Sequence, residues 1–266
     1  MTADEKQKLF NLLKTADAWN LGYTRDEFAV TPQFSDDEVI NTATAEPVSV
    51  SSELTKPAES VSVSSEPINT QESPAEESEK TGMTMEQLKT KIERCTRCSL
   101  ARTRNNVVPG MGVEHPDVLV IGEGPGEDED MQGLPFVGKA GVLLDKMLDA
   151  IQLNRQTNCY IANIVKCRPP QNRNPFPDEQ SACFGFLQSQ IHILKPKMIL
   201  CMGKIAIEKL MDKKVAIMTE HGTFYEYHGI PVMVTFHPSA LLREPELKRG
   251  AWNDLKAFKA KLDTLK

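Results

Sequence analysis

An α/β fold, in which helices cover both faces of a mostly parallel sheet, is predicted for this 266-residue chain. Two observations carry the prediction. From residue 84 onward, short apolar runs of strand length alternate with amphipathic stretches of helical length, the pattern of parallel strands joined by helical crossovers. The unusual loop motifs fall at the carboxyl ends of those runs, where such sheets place their sites.

The elements come in this order. TMEQLKTKIERC at 84–95 reads as a helix, with Thr84 as N-cap and Gln87 three residues on as a capping box. DVLVIG at 117–122 is a buried strand, KAGVLLDKMLDAI at 139–151 a helix and CYIANIVKC at 159–167 a second strand. Pro177 opens a helix that ends near Lys195-Pro196, since proline suits a first helical turn. KMILCMG at 197–203 is a third strand and IAIEKLM the next helix. TFYEYHGIPVMVTF at 223–236 reads as a hairpin turning at His228-Gly229, its second arm a further strand. The last helix, RGAWNDLKAFKAKL, sets Trp252, Leu255, Phe258 and Leu262 on one face.

Ahead of this domain, assigned to residues 83–266, residues 1–30 hold a short amphipathic helix with Leu9, Leu12, Leu13, Ala16 and Trp19 at helical spacing. It would dock on its own domain or on a protein partner. Residues 31–82 read as a disordered linker. Between 35 and 80 lie 11 acids against Lys56 and Lys80, with no aromatic after Phe34. Such a segment cannot bury enough surface to offset its ordering entropy.

The formal charge of −6 therefore hides an uneven distribution: residues 35–80 carry −9 and residues 83–266 carry +4. A mildly basic domain behind an acidic tether is compatible with a polyanionic partner. No apolar run approaches the roughly 18 residues of a membrane span. The acid-containing start MTADEKQKLF lacks the apolar core of a secretory signal. The expectation is a cytoplasmic protein, a monomer, without membrane attachment.

Six cysteines in such a chain suggest thiols or metal ligands rather than disulfides. Cys95 and Cys98 form a C-x-x-C pair, which can bring two thiolates to one metal centre. Cys167 and Cys183 come singly, unlike the paired motifs of zinc ribbons. Spacing leaves zinc and iron–sulfur open. Cys159 and Cys201 sit inside apolar strands and read as core. The turn GEGPGEDED at 122–130 resembles a dinucleotide fingerprint but has Glu127 where the third glycine belongs, and its acids would repel a pyrophosphate. A tight backbone wall with carboxylates near a substrate fits it better, which counts against a nucleotide-dependent oxidoreductase.

Together the pieces resemble the thermostable-type (family 4) uracil-DNA glycosylases: C-T-R-C at 95–98, GEGPGEDED and then GLPFVGKAG at 133–141, NIVKCRPPQNRNP at 163–175, and HPSALLR at 237–243. The resemblance spans about residues 84–260. It implies a three-layer α/β/α fold with a central, mostly parallel four-stranded sheet. It also implies a [4Fe-4S] cluster held by Cys95, Cys98, Cys167 and Cys183. The implied reaction is hydrolysis of the bond between uracil and deoxyribose in single- or double-stranded DNA, after the base is flipped out of the stack.

The roles it implies are physical ones. Phe136 offers a face for uracil to stack on. Asn163 matches the N3–H and O4 of uracil, and cytosine would leave it unpaired. Glu123, Gly124 and Pro125 line the ring edge. His237 stabilises charge growing on uracil O2. Glu123, or second Glu129, orients the attacking water. Ser239 and Arg243 contact phosphates, and Leu241 wedges into the stack. The basic, histidine-ending insertion of a branch that traps uracil-DNA covalently has no counterpart in NRNPFPDEQ, so turnover is expected. The alternative is an iron–sulfur DNA-binding module without turnover.

Overall fold

The computed structural model describes residues 82–265; the helix expected within 1–30 and the linker of 31–82 lie outside them, except for Gly82. The chain runs α1 (Met85–Glu93), β1 (Met111–Gly112), β2 (Val118–Gly122), α2 (Glu127–Gln132), α3 (Lys139–Asp149), β3 (Cys159–Asn163), α4 (Pro177–Leu194), β4 (Met198–Met202), α5 (Lys204–Met211), α6 (Ile217–Glu220), β5 (Phe224–Tyr227), β6 (Ile230–Thr235), α7 (Pro238–Arg243) and α8 (Lys248–Asp263). Among these residues no helix is long and apolar enough to cross a membrane.

The sheet order is β1-β3-β2-β4-β6-β5. Its four central strands, β3, β2, β4 and β6, are parallel, and β1 and β5 add antiparallel edges. Every residue of β2, β3 and β4 is buried, as expected when helices cover both faces. The period-2 geometry of a strand sorts the side chains between two layers. Leu119, Ile121, Ile199, Cys201, Val232 and Val234 face a core with Leu88, Ile92, Phe186, Leu187, Ile191 and Ile207. Val118, Val120, Met198, Leu200 and Met233 face the other, with Leu144, Leu148, Leu255, Phe258 and Leu262.

The local chemistry explains the element ends. The Thr84 hydroxyl accepts from the Gln87 N–H while the Gln87 side chain accepts from the Thr84 N–H, closing the expected capping box. The β5–β6 turn places both His228 (φ 48°) and Gly229 (φ 80°) in the left-handed region, as a two-residue hairpin loop requires. Two expectations need correction. The second strand stops at Asn163, so Cys167 lies in the loop beyond it. Trp252 is 42% exposed: the buried face of α8 runs through Ala251, Leu255, Phe258 and Leu262, and a residue one step along a helix turns about 100° away. Its ring instead lies beneath the Lys256 ammonium, 5.9 Å away.

Candidate active site

Parallel strands end on the same side of a sheet, so the loops after β2, β3, β4 and β6 meet along one rim. They enclose a cleft of about 510 Å³ lined by Glu123, Gly124, Pro125, Glu129, Phe136, Asn163, Gly203, His237, Ser239 and Arg243, among others. Nine of the ten residues assigned from sequence to catalysis, uracil or DNA share this cleft; Leu241 does not.

Gly122 closes β2 between two of them. A Cβ there would overlap Asn163 Oδ1 and stand 2.6 Å from Phe136 Cζ, so only glycine lets the ring and the amide meet across the strand end. Phe136 holds φ 52°, uncommon for an aromatic residue and sustained only where the surroundings over-determine it. Arg155, which the sequence motifs leave out, supplies that restraint. Its guanidinium donates to the carbonyls of Pro135 (2.9 Å) and Phe136 (3.1 Å) and pairs with Asp145 (2.6 Å). The Phe136 and His237 rings lie 5.6 Å apart between centroids and are tilted by 33°.

Asn163 is buried at the end of β3, and its Oδ1 is the one buried side-chain oxygen or nitrogen among the described residues with no partner. An unpaired buried acceptor costs about 1–3 kcal/mol, a cost that a donor arriving in the cleft would cancel.

His237 caps α7. Its Nδ1 accepts from the Ser239 N–H (3.2 Å) and lies 2.8 Å from Ser239 Oγ. A nitrogen that accepts carries no proton, so the neutral ring presents Nε2–H. Burial, reinforced by the Arg243 charge and opposed by Glu129, lowers its pKa to about 4. The imidazole is therefore a neutral donor at physiological pH. Ser239 faces the cleft, but both its N–H and its hydroxyl address this ring, which gives it an orienting task beyond the phosphate contact expected.

The two carboxylates divide sharply. Glu123 carries no side-chain hydrogen bond among the described residues, and burial raises its pKa to about 7. Glu129 is committed instead: one oxygen accepts from Val137 N (2.8 Å) and Gly138 N (3.0 Å), the other from Gly126 N (3.0 Å). It ties the glycine-rich turn to the Phe136 loop while still lining the cleft, so it is more constrained than Glu123. Leu241, expected to wedge into the stack, lies inward in this structure. It is 1% exposed and packs with Phe236 and Ala251, whereas Leu242 is 46% exposed. The next position on the short helix is the one that presents an apolar side chain outward.

The cysteines form a second centre. Cys95 lies just after α1, Cys98 precedes a short 3-10 turn, Cys167 lies in the loop after β3 and Cys183 on α4, and all four line one small cavity. Arg104 Nη1 approaches Cys167 Sγ at 3.1 Å. Lys166, fully buried, lines the same cavity and donates to the Asn163 carbonyl (2.8 Å) and Gln190 Oε1 (2.6 Å). Among the described residues no group of three or more His, Cys, Asp or Glu side chains is arranged to hold a single ion. Four sulfurs around one cavity with Arg104 and Lys166 in its walls are chemically suited to an anionic, thiolate-ligated metal centre. Cys159 and Cys201 are buried in β3 and β4, away from this cavity.

Residues 109–256 match the family model described as the uracil DNA glycosylase superfamily. The type-4 uracil-DNA glycosylase of Thermotoga maritima is 43% identical over 180 residues, covering 66% of this chain and 93% of that protein. The type-4 enzymes of Archaeoglobus fulgidus and Sulfurisphaera tokodaii are each 37% identical, over 181 and 184 residues, covering 65% and 66% of this chain and 90% and 84% of theirs. A type-5 enzyme of Pyrobaculum aerophilum is more distant, 28% identical over 151 residues, covering 50% of this chain and 66% of that protein. With more than half of its length matched by the superfamily model and nearly the whole of its type-4 relatives covered, this chain belongs to the type-4 uracil-DNA glycosylase family.

Proposed function

We propose that residues 83–266 form a monofunctional glycosylase domain that hydrolyses the N-glycosidic bond of uracil in DNA. The observation that carries this reading is the unpartnered Asn163 Oδ1 in a cleft shared with Phe136 and a neutral His237. A flipped uracil stacks on Phe136. Its N3–H satisfies Asn163 Oδ1, and the Asn163 amide N–H reaches O4. Cytosine offers the reversed pattern and would leave the acceptor bare. As the glycosidic bond lengthens, negative charge spreads to uracil O2, where His237 Nε2–H donates. A neutral donor aimed at developing charge stabilises the transition state without first protonating the base.

Glu123 in its ionised form orients water toward the sugar carbon, and its charge favours the cationic sugar. The oxygen of that water becomes the new hydroxyl on the sugar, the proton it releases passes to the Glu123 carboxylate, and the base leaves with the bonding electrons as an anion that takes up a proton on release. Leu242 fills the gap left in the stack. The four cysteines would hold a [4Fe-4S] cluster, whose contribution is to pin the loops around 95–104 and 164–169. The carbonyl of Asn163 is tied to that region through Lys166, which makes a shaping role for the cluster concrete.

The test is incubation with uracil-containing single- and double-stranded oligonucleotides, scoring abasic sites, with iron and sulfide analysis of the same sample. Abasic sites above background are expected with four iron and four sulfide per chain. Tight binding of uracil-DNA without product would instead establish a binding module.

A further inference from the structure

Phe176 stands out on the surface beside the cleft. It is 54% exposed and occupies the N-cap of α4, a position where Ser, Thr, Asp or Asn would stabilise the helix. An exposed aromatic ring there gains the helix nothing. Its surroundings are tightly determined. The Arg173 guanidinium lies 3.8 Å from the Phe176 ring centroid, and Arg173, with Asn172 and Asn174, lines the cleft.

The guanidinium cannot swing away, because Glu179, whose side chain has no solvent exposure, holds it at both ends: Nη1 to Oε2 at 2.9 Å and Nη2 to Oε1 at 2.8 Å. The same carboxylate accepts from Phe176 N (2.8 Å) and from the hydroxyl of Ser99 (2.8 Å), next to Cys98. Its pKa falls to about 2, chiefly through the Arg173 hydrogen bonds. The approach to this corner holds Gln171 (φ 56°) and Asn172 (φ 55°) in the left-handed region, with Arg168 Nε bonded to Asn172 Oδ1 at 2.8 Å. Holding non-glycine residues there costs free energy that the surrounding contacts must offset.

Glu179 neutralises much of the Arg173 charge, so the pair is poorly suited as a phosphate anchor. What remains is a flat, rigid, partly apolar surface. Lys204 and Arg243 also line the cleft and supply cationic groups for a backbone passing beside it. We propose that the Arg173–Phe176 stack is a platform for the nucleobase next to the flipped nucleotide, holding the strand open at the cleft mouth. This rests on the excision reading above for its substrate. Stacking tolerates every base because each has a π-face, so the platform adds grip without adding sequence preference. It matters most on single strands, whose neighbouring base has no partner to stay with.

The test measures binding directly, so that it does not depend on turnover. The full chain is titrated with single-stranded oligonucleotides that carry a tetrahydrofuran abasic analogue and, beside it, 2-aminopurine. The expected result for the unaltered protein is quenched 2-aminopurine emission on binding. Phe176→Ala is expected to lose the quench and weaken Kd by roughly tenfold, within the ~5- to 150-fold that one stacked base contributes. Phe176→Trp keeps both. Replacing the flanking base by a second abasic spacer removes the difference between Phe176→Ala and the unaltered protein. Equal Kd and equal emission for the two proteins with the flanking base present overturn the platform, as does a tenfold penalty that persists without that base. A protein that shows these stacking effects yet releases no uracil keeps the platform and loses the excision reading; one that releases uracil with Phe176→Ala binding unchanged does the reverse.

Discussion

Replacing Glu123 by Gln puts the assignment of the water-orienting group to its sharpest test. Burial raises the Glu123 pKa to about 7, and the competent form is the carboxylate. About a tenth of the population is then ionised at pH 6 and about nine-tenths at pH 8, so kcat/KM on a single-stranded uracil substrate should rise about tenfold over that interval. His237 contributes no slope there, because its pKa of about 4 keeps it a neutral donor throughout. Glu123→Gln should lower excision about 100-fold at pH 8, at the low end for loss of a general base, and flatten the profile. Stability runs the opposite way. A carboxyl raised in the folded state contributes stability that is complete below its ordinary value near 4.5 and lost as pH climbs through about 7. Melting temperature should therefore fall across the window in which activity rises, and Gln should remove that dependence. A flat activity profile for the unaltered protein, or an inflection near pH 7 that survives in Glu123→Gln, would refute the assignment.

His237→Ala should cut kcat about 10²- to 10³-fold with KM little changed, as loss of a donor to a developing oxyanion does; single-turnover kinetics decide it, and near-normal rates exclude the role. Leu241→Ala should destabilise the fold by about 2–5 kcal/mol as a core truncation, whereas Leu242→Ala should leave stability within about 0.5 kcal/mol and slow excision more on duplex than on single strands. The reverse pattern in denaturation and excision assays restores Leu241 as the wedge. Gly122→Ala pushes a methyl onto Asn163 and Phe136 and should cost about 1–3 kcal/mol as an overpacking change while abolishing uracil release; a chain that still excises uracil would mean the base does not sit there. Cys183→Ser should lower bound iron and the melting temperature together, and unchanged iron content would remove that cysteine from the ligand set.

The layered sheet was legible because period-2 and helical patterns reflect local geometry, which each segment carries independently. Phe136, Asn163 and His237 were legible for a related reason: they lie at or beyond strand ends, and parallel strands deliver their carboxyl-terminal loops to one rim. The edge strand Met111–Gly112 was not, since two residues are too few to show a period. Nor could two adjacent leucines be told apart. Leu241 and Leu242 differ by one helical step, and whichever faces Phe236 and Ala251 is set by how α7 lies on the domain.

The tasks of the charged groups belong to the same class. Four acids in a row at 127–130 look interchangeable in sequence, yet Glu129 is spent on three backbone N–H groups, and Asp130 accepts from the backbone N–H groups of Asn105 and Asn106. Arg155 and Glu179 gave no signal at all, because each acts on partners brought near by folding: the Phe136 loop for one, Ser99 and Arg173 for the other. The order of residues was enough for the layers, the rim and the residue types that crowd it, since hydrophobic period and chain direction are local properties. Which carboxylate is left free to touch water, which nitrogen of His237 bears the proton and which leucine meets the solvent were decided by burial and hydrogen bonding between segments distant along the chain, and those exist only once the layers have packed.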